Sequence, residues 1–510
     1  MINGYDAEAV RAAEAPALAA GVPLMRWAAQ AVAATVREVL AGGGIRARSG
    51  RVLVLAGGGN NGGDGLHAAA DLAGRGVAVT ALLARDRVHP GGLDRARRAG
   101  VRLLPVTTPD QLAAPGWREA ARHAHVWVDA LAGIGVRGGL RGHSAALVTA
   151  LNQLRQDGAP AVVAVDIPSG IDAGTGRLNG PVLSADHTVT MGAAKAGVLL
   201  PPAALRAGTV HTCPLGLEDA FATQVPAVAR LTAADVATEW PVPQSTDHKY
   251  SRGVLGVVAG SPAYPGAGVL TTGAAIATGC GMVRYLGATE VAARVLDHYP
   301  EAVTATGRVQ AMVVGPGITG QDETARVEQA LLTAIEAAPT GEPIAVVWDA
   351  GALDLLPRLE HMLRGTRSVL TPHAGELAGL LGSYGHPTER ADVEAEPAAW
   401  AALAAELTGA VVLLKGPVTV IAQPDGVLFS CADGSPWLAT AGSGDVLAGA
   451  LGALAATSDV PLARAAAAAA LVHGHAARLA GGGGPIGAHH LLPALPAAIA
   501  DLLTRHRPHR

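Results

Sequence analysis

Ala441-Gly-Ser-Gly-Asp-Val-Leu-Ala-Gly449 is the stretch around which the second half of the chain is organised. Small residues come first, then an acid, Asp445, then an apolar helical run of Val446, Leu447, Leu451 and Leu454. The pattern predicts a tight turn feeding a helix N-terminus. Glycine lets the backbone approach a ligand, and the first-turn N–H groups point outward without partners, so an anion sits well there. A carboxylate beside that anion can act as a base or hold a reacting hydroxyl. Alone, such a turn also reads as a plain capped helix, so its meaning depends on the neighbouring strand ends.

Upstream of it, apolar runs end one after another in residues that carry chemistry. Val254-Leu-Gly-Val-Val-Ala259 opens into the small-residue turn Gly260 to Gly268 and a helix from Val269 to Thr278. Ala311-Met-Val-Val314 runs into Gly315-Pro-Gly317, and Ile344-Ala-Val-Val-Trp-Asp349 ends in an acid. Ser368-Val-Leu370 leads to Thr371-Pro-His-Ala-Gly-Glu376, and Val411-Val-Leu-Leu-Lys-Gly416 ends in a lysine. Ligands bind open α/β sheets at strand C-termini. A lysine placed directly after four apolar residues must reach an anion or snorkel to solvent, and beside an anion-binding turn phosphate is the expected anion. His373 is open to two readings, a turn residue or a ligand contact.

The first half repeats the logic with different residues. Asp6 to Leu40 has helical periodicity with few breakers. Arg51-Val-Leu-Val-Leu-Ala56 reads as a buried strand entering Gly57-Gly-Gly-Asn-Asn-Gly-Gly-Asp-Gly65, with a helix expected from Leu66 to Leu72. Strand, glycine-rich turn, helix is a phosphate-binding layout; it lacks the usual GxGxxG fingerprint and the P-loop lysine. Asp129 ends a strand before a second glycine-rich loop, and Ala161-Val-Val-Ala-Val-Asp166 ends the same way before Ile-Pro-Ser-Gly170. Asp64, Asp129 and Asp166 thus stand at corresponding strand ends. Alternating strands and helices predict α/β architecture in both halves, two doubly wound domains. The pattern weakens between Leu217 and His248, which places a linker at 221–247 between domains at 1–220 and 248–505.

Composition narrows the class. A chain of 510 residues exceeds one ordinary core, and a net charge of −4 with few aromatics argues against nucleic acid. Cys213, Cys280 and Cys431 show no metal-ligand spacing, which fits a reducing cytoplasm. The acidic N-terminus is no signal peptide, and the alanine-rich run Ala463 to Ala480 suits a buried helix better than a membrane span. Arginine is abundant, yet the chain holds three lysines, Lys195, Lys249 and Lys415, each in a glycine-flanked, motif-like setting where a compact ammonium fits and a guanidinium fork does not.

Asn60-Asn-Gly-Gly-Asp64, Asp129-Ala-Leu-Ala-Gly-Ile-Gly-Val-Arg137, Val165-Asp-Ile-Pro-Ser-Gly170 and Gly192-Ala-Ala-Lys-Ala-Gly197 together resemble the NAD(P)H-hydrate epimerase (YjeF N-terminal) domain. That resemblance implies a Rossmann-like fold in which Asn60, Asn61, Gly62, Gly63 and Asp64, with Gly133, Ile134, Gly135, Val136, Arg137, Gly138 and Gly139, cradle the phosphates of a hydrated nicotinamide dinucleotide. It implies K⁺ on Asn61, Asp129 and Ser169, and Asp166 at the reacting carbon. Ile134 departs from the family, which usually has a hydroxyl residue there. The Gly315, Thr371 to Glu376, Leu414 to Thr419 and Gly442 to Asp445 series resembles the NAD(P)H-hydrate dehydratase (YjeF C-terminal) domain, which is ribokinase-like. Here Ala267, Gly317 and His373 are implied to line the hydrated nucleotide. Lys415, Gly416, Pro417, Val418, Thr419 and Gly444 hold the phosphate-donating nucleotide, and Asp445 acts at the substrate hydroxyl. Two departures stand out: Ala374 replaces a proline, and Gly351 replaces the second acid of the usual Asp-Ala-Asp-Ala-Leu pattern. The expected activity is repair of hydrated NADH and NADPH, with R and S forms epimerised and the S form dehydrated at the expense of ADP, with Mg²⁺. The alternatives are ATP as donor, or a small-alcohol kinase with a non-catalytic N-terminal binding module. The expected partners are small molecules and a second copy of the chain, without nucleic acid or membrane.

Overall fold

The computed structural model describes residues 1–135, 138–155, 159–339 and 342–506. The chain divides into two compact units, Asn3–Val228 on one side and Met1–Ile2 with Ala229–Arg510 on the other.

In the first unit, α1 (Ala7–Ala19) and α2 (Leu24–Gly42) occupy the stretch that reads as one periodic run. The Asp6 side chain caps α1, and Gly21, at φ +73°, breaks the run ahead of Pro23. Seven parallel strands follow: β1 (Arg51–Ala56), β2 (Ala78–Leu83), β3 (Arg102–Pro105), β4 (Val126–Ala130), β5 (Ala161–Val165), β6 (His187–Met191) and β7 (Thr209–Cys213). Their spatial order is β3-β2-β1-β4-β5-β6-β7. Successive side chains on a strand face opposite sides. Val52, Val54 and Ala56 accordingly enter one core with Val128, while Leu53 and Leu55 enter the other with Trp127. Both faces are covered, which is why these strands are apolar throughout. The order reverses between β1 and β4, and ligands settle at such a reversal.

Helix α3 spans Asn60–Ala73, starting six residues earlier than the expected Leu66. The glycines of its first turns serve close packing more than loop freedom. Gly62 abuts the backbone of Gly57, Gly63 the His89 ring and Gly65 the Ala130 methyl, so a Cβ at any of them has no room.

The second unit opens on β8 (Val254–Val258) and α4 (Pro265–Thr278), then β9 (Met282–Tyr285), β10 (Ala311–Val314), β11 (Ala345–Trp348) and β12 (Arg367–Leu370). It continues through α5 (Ala374–Ser383), β13 (Val411–Leu414), β14 (Thr419–Ala422), β15 (Leu428–Cys431), α6 (Ser443–Thr457) and α7 (Leu462–Gly481). The order is β9-β8-β10-β11-β12-β13-β14-β15. The first six are parallel and the last two run antiparallel. Helix α7 carries Ala465 to Ala470 buried in the core, which confirms the alanine-rich run as an interior helix. No helix among the described residues is long and apolar enough to cross a membrane.

The divide falls at Val228/Ala229, inside the stretch 221–247 read as linker. Part of that stretch is folded. Thr232 and Asp235 form a capping box that starts a helix at Ala233–Glu239, and Val236 and Trp240 are buried in the same core as Leu255 and Leu495. Pro241, Pro243 and the polar run to His248 carry the weak pattern, and Gln244 to His248 is exposed.

Candidate functional sites

In the first unit, the ends of β1, β4 and β5 bring the expected residues together. Asp129 is fully buried, and its carboxylate accepts from Ser169 N (2.7 Å), Ser169 Oγ (2.6 Å) and Leu131 N (3.3 Å). Ser169 Oγ in turn accepts from Ala132 N at 3.0 Å. Burial pushes the Asp129 carboxyl up to about 6 against these hydrogen bonds, and among the described residues no cation acts on it. Gly133 lies against Asn61, whose Nδ2 is buried without a partner. A buried carboxylate lacking a counter-charge, with oxygen-bearing side chains beside it, suits a bound cation. Ile134 offers its carbonyl to Arg11 Nη2 at 2.8 Å, and Gly138 and Gly139 adopt left-handed backbone at φ +73° and +82°. Val136 and Arg137 lie outside the described residues. Asn60 is exposed at the helix start.

Asp166 takes a left-handed φ of +70°, costly for a residue with a Cβ. Its Oδ1 accepts from Met191 N at 3.2 Å and forms an ion pair with the buried Lys195. Lys195 Nζ also donates to Met191 O at 2.7 Å. Asp64 is raised well above the ordinary carboxylate range by burial first, then by Asp166 and Glu14, with Lys195 opposing. Glu14 on α1 is raised by burial too, with Lys195 and Asp166 acting on it. Three carboxyls and one ammonium therefore share this strand end. Sequence reading found Asp64 and Asp166, gave Lys195 no role despite its rarity, and missed Glu14, which only the fold of α1 brings near.

In the second unit, Gly442 adopts φ +88° and starts α6 with no side-chain cap; of the first-turn N–H groups, that of Ser443 donates to Thr440 O at 3.4 Å. The Ser443 hydroxyl donates back to Leu438 O (2.7 Å) and Thr440 O (3.0 Å), which tightens the turn. His473 on α7 is buried, bonds to the Ser443 backbone, and is lowered to about 4 chiefly by burial, so it supports the turn as a neutral ring. Asp445 follows in the first helical turn. Burial, then the nearby Asp349, lift it to about 6, with Lys415 pulling the other way.

Lys415 lies beside Gly444: a Cβ added there would sit 3.6 Å from Nζ. Its ammonium is already met by carboxylates, Asp349 Oδ1 at 2.8 Å and Glu376 Oε2 at 3.7 Å. Burial disfavours its charge, and Asp349 and Glu376 more than make up the difference, so it is held above its ordinary value. The anion expected for this lysine from sequence was phosphate; the protein supplies Asp349 and Glu376. Asp349 is further fixed by Thr371 Oγ1 at 2.8 Å. His373 caps α5, its Nδ1 accepting from Glu376 N at 3.1 Å while Glu376 Oε2 accepts from His373 N at 2.7 Å. Its ring is largely exposed, so both readings of it coexist. Pro372 O accepts from Lys415 N, which pins the two strand ends together. Gly317, at φ +64°, packs against Ala267 and Tyr264 at the reversal between β8 and β10. Val418 is buried, and Gly416 and Pro417 form the turn from β13 into β14, which Thr419 begins. Gly351 abuts the backbone of Ile318, so a second acid there would have to displace it.

A family profile described as NAD(P)H-hydrate dehydratase matches residues 255–488, and one described as YjeF-related protein N-terminus matches residues 21–197. The bifunctional NAD(P)H-hydrate repair enzyme Nnr of Mycobacterium leprae is 42% identical over 98% of this chain and 100% of its own length. The chain belongs to the bifunctional NAD(P)H-hydrate repair enzymes. A more distant relative of that name, from Escherichia coli, is 34% identical over 83% of this chain and 80% of its own. Each profile falls within one structural unit. Among solved structures, an ADP/ATP-dependent NAD(P)H-hydrate dehydratase from Bacillus subtilis, co-crystallised with ATP/Mg²⁺, is 26% identical. It covers 54% of this chain and 99% of its own, with a TM-score of 0.46.

Proposed function

We propose that the chain repairs hydrated NADH and NADPH in two steps, interconverting the R and S hydrates in the first unit and dehydrating the S hydrate at the expense of ADP in the second. The observation that carries the reading is Asp445: a carboxylate in the first turn of an uncapped helix, beside Lys415, on a chain of this family.

In the dehydratase step, Asp445 takes the proton of the substrate hydroxyl as its oxygen attacks the terminal phosphoryl group. Charge develops on that group, and the Gly442 to Gly444 amides and the Lys415 ammonium stabilise it. AMP leaves; the C–O bond of the phosphate ester so formed then breaks, inorganic phosphate departing with the electron pair while the adjacent carbon loses a proton, restoring the ring double bond. Ala267, Gly317 and His373 line the hydrated nucleotide, and Gly416, Pro417, Val418 and Thr419 hold the donor with Lys415. Among the described residues no cluster of three or more His, Cys, Asp or Glu side chains is placed to hold a metal. Mg²⁺ would arrive on the donor's phosphates, and Asp349 and Glu376 are the carboxylates that would hold it. When bound, Mg²⁺ neutralises charge on the transferring group.

In the epimerase step, Asn60, Asn61, Gly62, Gly63 and Asp64 face the dinucleotide phosphates together with the loop from Gly133 to Gly139. Asp166 carries the proton that accompanies inversion at the hydroxyl-bearing carbon. Asn61, Asp129 and Ser169 would hold K⁺, which supplies the positive charge that buried Asp129 lacks. The protein acts on small molecules in the cytoplasm, as a homo-oligomer.

A mixture of R and S hydrates, incubated with the protein, Mg²⁺, K⁺ and either ADP or ATP, tests both steps through recovery of dihydronicotinamide absorbance. Full recovery with ADP faster than ATP is expected. Recovery that halts at the S fraction removes the epimerase, and a stable phosphorylated product returns the kinase alternative.

A further inference from the structure

The chain holds three lysines, and two of them do the same unusual thing. Lys195 is 1% exposed and the Lys415 side chain 21% exposed, and each pairs with the aspartate that follows a parallel strand, Asp166 after β5 and Asp349 after β11. Lys415 already has a place in the dehydratase site. Lys195 has none, although burying an ammonium is costly unless its partners compensate.

We infer that Lys195 is a positioning residue for interconversion of the R and S hydrates, holding the Asp166 carboxylate in one orientation and balancing the carboxyls of Asp64 and Glu14 beside it. The inference rests on the epimerase reading above. Both bonds that fix Asp166, from Met191 N and from Lys195, end on the same oxygen, Oδ1. Among the described residues neither bond engages the second oxygen, Oδ2, which is the one left to work on a ligand. The left-handed backbone of Asp166 aims the side chain, and Lys195 keeps it from relaxing out of that geometry. Lys195 itself is anchored on Met191 O and lies near Thr190 Oγ1, at 3.5 Å. The groups facing the cluster are Asp64 from α3, Glu14 and Arg11 from α1, Asp166 after β5 and Lys195 itself. A guanidinium is larger and forked and does not fit a side chain enclosed this fully, which explains a lysine surviving in an arginine-rich chain.

The test uses the full-length protein, with dehydration of purified S hydrate as an internal control for folding. Lys195→Met is expected to lower kcat for R-to-S conversion by about 10²-fold or more with KM little changed. The acidic limb of its pH profile should move to higher pH, because the carboxyl cluster loses the cation that favours its ionised forms. Lys195→Arg should not restore the rate. In an Asp166→Asn background, Lys195→Met should have little further effect, since the two act as one unit. Should Lys195→Met also lose the S-hydrate activity and its thermal transition, Glu14→Gln decides: removing this carboxyl should move the acidic limb to lower pH. Wild-type rates and an unmoved limb in Lys195→Met, rescue by Lys195→Arg, or an unmoved limb in Glu14→Gln would each overturn the inference. A wild-type protein that dehydrates the S form but never converts the R form would instead overturn the epimerase reading.

Discussion

Asp445 shows how one residue's surroundings set both its chemistry and its cost. Lifted to about 6 by burial and Asp349, it is mostly ionised at neutral pH yet close enough to neutrality to accept a proton well. Dehydratase kcat/KM should therefore fall as pH drops through about 6, measurable on purified S hydrate at saturating nucleotide. A carboxyl raised in the folded state has the reverse sign for stability. Below its ordinary range both folded and unfolded chains hold the proton and nothing is lost; above about 6 the folded chain carries a charge it disfavours. Asp445→Asn should thus stabilise the second unit by about 2 kcal/mol at pH 8 and by less at pH 5, while lowering dehydratase kcat by at least about 10²-fold. Thermal melts at the two pH values check the first part. Asp445 was legible in sequence because its glycine turn stands in one series with strand ends that carry Asp349, His373 and Lys415. The Lys415 to Asp349 pairing was not, since the two residues are 66 apart and meet only through the β11-β12-β13 register.

Among elements, the two glycine-bearing turns differ in what their glycines do. Gly442 holds a left-handed φ of +88° next to Leu270 and Ala488. Gly442→Ala should destabilise the second unit by about 1–2 kcal/mol and weaken the nucleotide response, read as a smaller thermal shift with ADP. In α3 the glycines are helical and matter for closeness, which is why sequence reading drew them as a loop and began the helix six residues late. Glycine-rich composition says that the backbone is approached; it does not say whether the approaching atoms belong to a ligand or to the protein. Strands fared better, because a run such as Val126-Trp-Val-Asp-Ala130 has few alternatives to a buried parallel position. The break between α1 and α2 was visible in Gly21 and Pro23 but was outweighed by the periodicity around them.

At the scale of the whole molecule, each unit has its own order reversal and its own cluster of carboxyls with an enclosed lysine. The two activities should therefore be separable by single substitutions: Asp166→Asn should abolish R-to-S conversion and leave S-hydrate dehydration intact, and Asp445→Asn the converse. Replacing K⁺ with tetramethylammonium should slow the first activity alone, since Asp129 belongs to the first unit, and Asp129→Asn should remove that ion dependence. Progress curves on separated R and S hydrates read all of these directly. The division into two α/β halves was legible from motif order. The start of the second half was not, because Ala233–Glu239 is too short for its periodicity to stand out from the prolines that follow.

The scarcity of lysine has a practical consequence at the bench. Amine-reactive dyes and crosslinkers need an accessible ammonium, and this chain offers few. Lys195 is sealed in its ion pair and Lys415 is mostly enclosed. Lys249, exposed and resting over the Tyr250 ring, is the first lysine to be attached. Labelling at low reagent excess should accordingly tag Lys249 ahead of the other two lysines and leave both activities untouched.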